Sequence, residues 1–255
     1  KAVALNSDLT FLGSNNLFLS NGPVTINATR TFDIQAGIFG CGAVGDVAAG
    51  YSLVKTGTGT LVLNGGDIDG NLDIQSGIVA INQDFLGAAP TGTGTLQNDG
   101  AVGTKWTFWY GPADVTSNVL IRNNDGTNTR RLGIVKRGTG TLTLTNSANN
   151  ATSNLSVDSG GLIISGTGTY GAGNEDGSTV TNLTAVVGGT AAANGVLEIN
   201  GPTVNYNNRS AAGTEVWRST LNIGANGTGA GALRLNTGTL TTDKQLALGI
   251  TGSAF

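Results

Sequence analysis

One sequence pattern occurs twice in the chain and limits its fold more than any other feature. The pattern reads KTGTGTLVLNGG at residues 55–66 and KRGTGTLTLTNS at residues 136–147. In both copies leucine recurs at every second position and alternates with threonine, valine or asparagine. A period of two predicts a strand with one buried face and one threonine-rich face. Because β-branched threonine packs well on a copy of itself in a neighbouring strand, the pattern predicts a stack of similar units.

The sequence that follows each copy repeats as well. A polar turn leads to a second alternating strand, which reads NLDIQ after the first copy and NLSVD after the second. Both second strands end at a Ser-Gly pair, Ser76-Gly77 and Ser159-Gly160, and a third apolar run follows each pair. Repeats of roughly 20–50 residues with glycine at their corners are typical of solenoids and propellers.

These two units resemble the autotransporter-associated β-strand repeat, also called the passenger-associated transport repeat. The pattern of that family runs approximately K-T-G-x-G-T-L-x-L-x-G, then a polar turn, then V-x-x-G-x-L. Residues 53–81 follow it closely, and residues 134–165 follow it with one departure, Asn146 in place of the glycine after the Leu-x-Leu strand. The rest of the chain is similar to the same large bacterial surface proteins more loosely. The resemblance implies a right-handed parallel β-helix, export to the cell surface and, as is usual in that family, no catalytic site.

Pattern and resemblance together predict an all-β fold, a right-handed parallel β-helix (β-solenoid) that forms a single elongated rod and runs through the whole chain. Residues 1–50 are predicted to form the first coils. Residues 51–165 hold the two repeat units, with a loop at residues 85–94 and an aromatic and basic insertion near residues 95–131. Residues 166–255 are predicted to form coils with a Gly-x-Leu-x-Leu pattern.

The C-terminal part of the chain contains three versions of one predicted coil. They occupy residues 186–204, 221–240 and 246–255, and the third stops before its second strand. In the second version, Leu233 and Leu235 are predicted to point into the core because they alternate with polar residues.

Composition excludes several other classes of protein. The 42 glycines have no three-residue period, which excludes collagen. The chain is 38% hydrophobic and its apolar residues alternate, which argues against disorder. No apolar run is long enough for a membrane helix. The net charge of −3 argues against nucleic acid or an anionic membrane as a partner.

The start of the chain and its single cysteine each allow an expectation. The chain begins at Lys1 and lacks methionine, which indicates a processed or excised mature segment. Cys41 is interpreted as a small buried apolar residue, and the alternative is an intermolecular disulfide.

A cluster of aromatic residues stands within the segment that we expect to interrupt the coils. In KWTFWYGP, Trp106, Phe108 and Tyr110 alternate onto one face and Trp109 takes the other. One interpretation is a surface for partner contact or glycan stacking, formed by Trp106, Trp109, Tyr110 and, further along, Trp217. The other is that Trp106, Phe108 and Tyr110 fill a wider part of the core while Trp109 faces solvent.

Most catalytic chemistry is excluded by the absence of histidine, which removes the usual general base and the common zinc ligand. Asp67, Asp69 and Asp73, with Asn71, alternate onto one face and allow either a calcium site or a glycosidase carboxylate pair. We interpret them instead as a solvated turn and outer strand face, and interpret Glu175-Asp176 as a turn. We expect no cofactor, no metal and no enzymatic activity.

The two ends of the chain are candidates for self-assembly. At each end the chain has an alternating strand and no polar capping segment, although a solenoid usually needs such a segment to stay soluble. Head-to-tail stacking of copies would supply the missing layer, and such a contact does not close, so it generates a filament. The alternative partner is the rest of a longer passenger chain. The residues proposed for these ends are Val3, Leu5, Leu9, Leu246, Leu248 and Phe255.

Two functional hypotheses follow from these observations. The first is a non-enzymatic structural protein of the bacterial cell surface or extracellular space, either a stalk or adhesin segment or a subunit of a head-to-tail filament. The second is a carbohydrate-binding or carbohydrate-active β-helix that uses the cluster from Trp106 to Tyr110 to hold glycans. The scarcity of acidic residues and the absence of histidine favour the first.

Overall fold

The computed structural model of the chain describes residues 1–19, 21–47, 49–87, 89–98, 103–122, 130–146, 155–165, 169–170, 184–187, 194–200, 203–205, 220–223, 231–237, 239–241 and 246–248. These residues hold thirty strands and no helix, so the described part of the chain is all-β. It accordingly contains no helix of the length and apolarity needed to cross a membrane.

The strands are short, and turns separate them at nearly regular intervals. In chain order they are β1 (Val3–Leu5), β2 (Leu9–Phe11), β3 (Leu17–Phe18), β4 (Val24–Ile26), β5 (Arg30–Ile34), β6 (Ile38–Cys41), β7 (Val44–Gly45), β8 (Leu53–Thr56), β9 (Thr60–Leu63), β10 (Gly66–Ile68), β11 (Leu72–Ile74), β12 (Ile78–Ile81), β13 (Phe85–Gly87), β14 (Thr91–Gly92), β15 (Thr95–Asn98), β16 (Gly103–Trp109), β17 (Val115–Ser117), β18 (Leu120–Arg122), β19 (Arg130–Lys136), β20 (Thr141–Leu144), β21 (Leu155–Val157), β22 (Gly160–Ser165), β23 (Thr169–Tyr170), β24 (Thr184–Val187), β25 (Gly195–Asn200), β26 (Thr203–Asn205), β27 (Thr220–Ile223), β28 (Gly231–Leu235), β29 (Thr239–Thr241) and β30 (Leu246–Leu248).

Five sheets contain these strands, and all of the strand pairs are parallel. The first sheet runs β1-β4-β7-β10-β13-β16-β19-β21-β24-β27-β30, the second β2-β5-β8-β11-β14 and the third β3-β6-β9-β12-β15-β18. The fourth runs β17-β20-β22-β25-β28 and the fifth β23-β26-β29. The chain returns to the first sheet after every two or three strands, so it is arranged in stacked coils, as in a β-solenoid. The predicted all-β, parallel class is confirmed.

The core is the column of apolar side chains between these sheets. Leu61 and Leu63 of the first repeated strand are fully buried, and so are Leu142 and Leu144 of the second, as their alternation predicts. Thr58, on the other side of the chain, is exposed. The periodicity of two therefore identified the buried face of both copies correctly.

The two copies of the repeated pattern occupy different sheets. The first copy passes from β8 in the second sheet to β9 in the third. The second copy passes from β19 in the first sheet to β20 in the fourth. The same sequence thus forms two different corners of the structure, because a corner needs only a local change of chain direction and not a particular sheet.

The predicted loop at residues 85–94 is wrong, since this segment contains β13 and β14. The sequence PTGTGTLQN at residues 90–98 is a third copy of the Thr-Gly-Thr-Gly-Thr-Leu corner, with Pro90 in the position that lysine holds in the other two. Thr95 pairs with Ile78, which pairs with Thr60 of the first copy. Pro90 directly precedes β14, where a missing backbone donor does no harm to the ladder.

The segment at residues 95–131 does not interrupt the coils as predicted. Its strand β16 pairs with β13 on one side and β19 on the other, and β15 pairs with both β12 and β18. Leu96 and Ile121, which lie on β15 and β18, are buried in the common core. The aromatic residues of this segment thus belong to a regular coil and not to an insertion.

The three similar C-terminal stretches do stack on one another. Ala185 pairs with Leu221, which pairs with Leu246, so β24, β27 and β30 keep one register. Leu235 differs from its predicted inward position and is 53% exposed. The physical reason is that β28 is the last strand of the fourth sheet, so no further described strand covers it.

Candidate functional site

A buried lysine closes the corner of the first repeat. The Lys55 side chain is fully buried, and its Nζ donates hydrogen bonds to the carbonyl oxygens of Thr56 at 2.5 Å, Gly57 at 2.8 Å and Ser76 at 3.4 Å. Burial lowers the pKa of Lys55 to about 8, against the opposing effect of the Asp33 carboxylate. All three ammonium hydrogens therefore have backbone acceptors.

The second repeat has the same corner with one acceptor fewer. Lys136 is 4% exposed, and its Nζ donates to the carbonyl oxygens of Arg137 at 2.8 Å and Gly138 at 3.1 Å. Burial lowers the pKa of Lys136, and the Asp114 carboxylate opposes the shift. Among the described residues Lys136 Nζ has no third acceptor within hydrogen-bond distance, so in this part of the chain one of its three ammonium hydrogens has no protein partner.

The Ser-Gly pairs explain why both lysine corners form. Ser76 Oγ donates to the carbonyl oxygen of Gly57 at 3.2 Å, and Ser159 Oγ donates to that of Gly138 at 3.3 Å. The next residue, Gly77 or Gly160, has φ near +70° and lies so close to the corner below it that a Cβ atom would collide with carbonyl oxygens. The sequence interpretation missed the role of the lysines, although each begins its copy of the pattern.

Trp109 faces the core, so the prediction that it faces solvent is wrong. Its side chain is 1% exposed. Trp109 pairs with Gly87 of β13 and with Lys136 of β19. Trp106 belongs to β16, but its side chain lies outside the described part of the molecule, as does all of Trp217.

Tyr110 is the member of the aromatic cluster that reaches solvent, with 40% of its surface exposed. Arg137 Nη1 donates to Tyr110 Oη at 2.6 Å, and the guanidinium carbon lies 5.6 Å from the centroid of the ring. Arg137 Nε also donates to Asp158 Oδ2 at 2.7 Å, and this hydrogen bond is the main reason that the pKa of Arg137 is raised. Residues from three successive coils thus fix the orientation of the tyrosine.

A cavity of about 190 Å³ lies beside Tyr110. It is located where the second sheet ends at β14 and the fourth sheet begins at β17, two strands of neighbouring coils that are not paired with each other. Apolar side chains, including Val115 and Leu142, form part of its lining. Asp69, Asn71 and Lys136 line it with polar groups.

Of the acidic face that the sequence pointed out, one carboxylate reaches this cavity. Asp67, Asp69 and Asn71 are exposed. Asp73 instead accepts hydrogen bonds from Gln75 Nε2 at 2.9 Å and from Thr91 Oγ1 at 3.2 Å. Only Asp69 of the three aspartates lines the cavity. In the described ranges no cluster of three or more potential metal ligands occurs. Glu175 and Asp176 lie outside those ranges.

The single cysteine is buried within the third sheet. Cys41 is a free thiol that packs in the core, and its burial raises the pKa to about 12. This position confirms the interpretation of Cys41 as a small apolar residue, because a buried thiol is out of reach of a partner molecule.

The N-terminal end of the stack has exposed apolar side chains. Strands β1, β2 and β3 are each the first strand of a sheet, and Val3, Leu5 and Leu9 are half-buried on them. Close to these strands, Leu12, Leu17 and Phe18 are exposed, Phe18 by 60%. At the other end, Leu246 and Leu248 belong to β30, the last strand of the first sheet, but their side chains and Phe255 are not among the described parts.

No protein-family model, curated protein or solved structure matches this chain. The resemblance to the autotransporter-associated repeat therefore stays a prediction that rests on residues 53–81 and 134–165. Any proposal about function must come from the fold, the exposed end and the cavity.

Proposed function

We propose that this chain is a non-enzymatic structural protein of the bacterial cell surface or extracellular space. In this proposal it is a right-handed parallel β-helix, and it serves as a stalk or adhesin segment or as the subunit of a head-to-tail filament. The eleven strands of the first sheet support an elongated shape, because ten spacings of about 4.8 Å amount to roughly 50 Å. A rod of this kind can hold a binding segment away from the cell surface, and it can be lengthened by adding coils.

The observation that carries this proposal is the uncovered first coil. Strands β1, β2 and β3 are each paired on one side only among the described strands, so their outer edges present free backbone donors and acceptors. Leu12, Leu17 and Phe18 lie exposed near the same edges. Unpaired edges beside exposed apolar side chains favour the addition of another parallel coil.

The covering coil comes either from a second copy of this chain or from the rest of a longer passenger. Stacking of a second copy is heterologous and does not close, so it gives a filament. A longer passenger gives a continuous stalk with the same local contacts. In both versions another coil covers the first coil. They differ in the oligomeric state of the isolated chain, which is a filament in the first version and a monomer in the second.

Analytical ultracentrifugation and negative-stain imaging of the chain over a wide range of concentrations distinguish the two versions. Under the filament version, rods lengthen with concentration, and Phe18→Lys, which puts a charge on the stacking surface, abolishes the assembly. Val47→Lys is the matched control because Val47 is exposed in the turn after β7 and not on the end coil. A chain that is monomeric at every concentration overturns the filament and leaves the stalk. Compact, globular particles overturn the structural proposal as a whole.

A further inference from the structure

The cavity beside Tyr110 occupies a place where the stacking of the described coils changes its sheet partners. The second sheet ends at β14 and the fourth begins at β17, and these two strands share no pairing. The adjoining turn at residues 111–113 lines the cavity together with Tyr110. The change of sheet at this corner leaves a cavity of about 190 Å³.

The polar groups that line this cavity have hydrogen-bonding capacity to spare. Lys136 is almost fully buried, yet its Nζ has two carbonyl acceptors where the equivalent Lys55 has three. Within the described structure the side chains of Asp69 and Asn71 make no hydrogen bond. A buried donor without an acceptor is unfavourable unless a ligand or water supplies one.

The shape and surface of the cavity limit what it can hold. Its volume of about 190 Å³ gives room for a small, ring-sized group. Tyr110 lines the cavity and is held by Arg137, so its ring offers a fixed apolar surface. The lining contains one group of each charge, Lys136 and Asp69, so it favours a ligand without net charge, and the Asp69 carboxylate accepts hydrogen bonds from hydroxyl groups.

We propose that this cavity binds one neutral hexopyranose residue of a glycan. The apolar C–H face of the sugar packs against Tyr110 and the apolar lining. The spare N–H of Lys136 donates to a sugar hydroxyl oxygen, Asp69 accepts from a sugar hydroxyl, and Asn71 can do either. This binding activity is independent of whether the chain forms a filament or a stalk.

The test uses the full chain and simple methyl glycosides. Saturation-transfer NMR and calorimetry are carried out with methyl glucoside, methyl galactoside, methyl mannoside and methyl glucuronide. At least one neutral glycoside is expected to bind with a Kd on the order of millimolar, as suits a single ring. Asp69→Asn and Tyr110→Ala are each expected to weaken this binding about tenfold. Tyr110→Phe keeps the ring and is expected to retain most of it.

Matched variants distinguish a loss of binding at the cavity from a change of charge or a loss of folding elsewhere. Asp67→Asn changes an exposed carboxylate two residues away that does not line the cavity, so it leaves binding unchanged. Lys136→Met loses binding while Lys55→Met, at the corner with three acceptors, keeps it. Asp69 and Tyr110 are exposed, so their variants fold even if a lysine variant does not. Absence of binding by every neutral glycoside overturns the proposal, as does binding of the glucuronide alone or binding that Asp69→Asn does not change.

Discussion

At the scale of single residues, the two buried lysines are the most informative feature of the molecule. A lysine is rarely buried in a core unless its ammonium group is hydrogen-bonded. Lys55 meets this requirement through three carbonyl oxygens of the corner that it closes. The lysine in the repeated pattern is therefore a structural residue, although its charge would place it on the surface in a simple hydropathy argument.

The pKa of Lys55 makes its contribution to stability depend on pH. Burial lowers this pKa from its ordinary value of 10.5 to about 8. Between these two values the unfolded chain binds more protons than the folded one, so the free energy of unfolding rises with pH. Below about pH 8 both states carry the proton and the contribution is flat. The rise is roughly 3 kcal/mol across the window.

Urea unfolding of the native chain and of Lys55→Met, each from pH 7 to 11, measures this effect. The contributions of all other titrating groups are the same in both proteins, so they drop out of the difference between the two free energies of unfolding. We expect that difference to move in favour of the native chain as pH rises through the window. A difference that stays constant with pH would show that Lys55 keeps its ordinary pKa.

The two faces of the repeated strand are predicted to differ sharply in their tolerance of substitution. Leu61 is fully buried between Phe39 and Val79 of the adjacent coils. Leu61→Asp puts an unpaired charge there and is expected to destabilise the fold by roughly 3–5 kcal/mol.

Thr58 is exposed and its Oγ1 donates to the carbonyl oxygen of Gln35 at 2.8 Å, a bond that serine can also make. Thr58→Ser is expected to change stability by less than about 1 kcal/mol. Thermal unfolding of both variants checks this, and equal shifts in Tm would contradict the assignment of faces.

At the scale of elements, the corner is the unit that repeats, and strands are the segments between corners. The first and second copies have nearly identical corner hydrogen bonds although they join different pairs of sheets. Gln75 N and Asp158 N, for example, donate to the carbonyl oxygens of Lys55 and Lys136 at 3.0 and 2.9 Å. Corner geometry is thus a local property of the sequence.

Glycine at the Ser-Gly corner is predicted to be essential for stacking. Gly77 has φ of +68°, and an added Cβ atom would lie 2.6 Å from the carbonyl oxygen of Gly59. Gly77→Ala is expected to destabilise the protein by more than about 2 kcal/mol, from backbone strain and collision together. Gly45→Ala is the matched control, since its Cβ atom would meet nothing closer than 3.5 Å. Denaturant unfolding compares the two, and similar losses would show that the corner can relax.

At the scale of the whole molecule, the described strands form a stack whose lateral sheets are replaced part-way along it. The first sheet runs through all the coils, whereas the second and third sheets are succeeded by the fourth and fifth. The cavity lies at this change. The same architecture thus supplies a long regular scaffold and an irregular site on it.

The cavity is predicted to bind without catalysing hydrolysis. Glycoside hydrolases use a pair of carboxylates about 5–10 Å apart, and the described lining contains one, Asp69. A panel of common plant and bacterial polysaccharides, incubated with the chain with and without calcium, is expected to release no reducing sugar above blank. Turnover that Asp69→Asn abolishes would instead identify Asp69 as a catalytic residue.

Much of the fold could be predicted from the sequence by itself because its causes are local. Alternation of leucine with threonine determines which side of a strand is buried, and positive φ determines where glycine must stand. These causes act over two or three residues, so they identified Leu61, Leu142 and the three stacked C-terminal stretches without reference to distant parts of the chain. The Thr-Gly-Thr-Gly-Thr-Leu sequence at residues 91–96 is a local signal of the same kind, although the prediction of a loop at residues 85–94 did not use it.

Only the tertiary structure decided what depends on the neighbouring coil, which lies roughly twenty residues or more away in sequence. Trp109 is buried where its strand is stacked between two coils, paired with Gly87 on one side and Lys136 on the other. Lys136 lines the cavity beside Tyr110 because sheet partners change beside the second corner, between β14 and β17. Strand alternation contains no information about which strand will stack on which, since that choice depends on the lengths of the intervening turns.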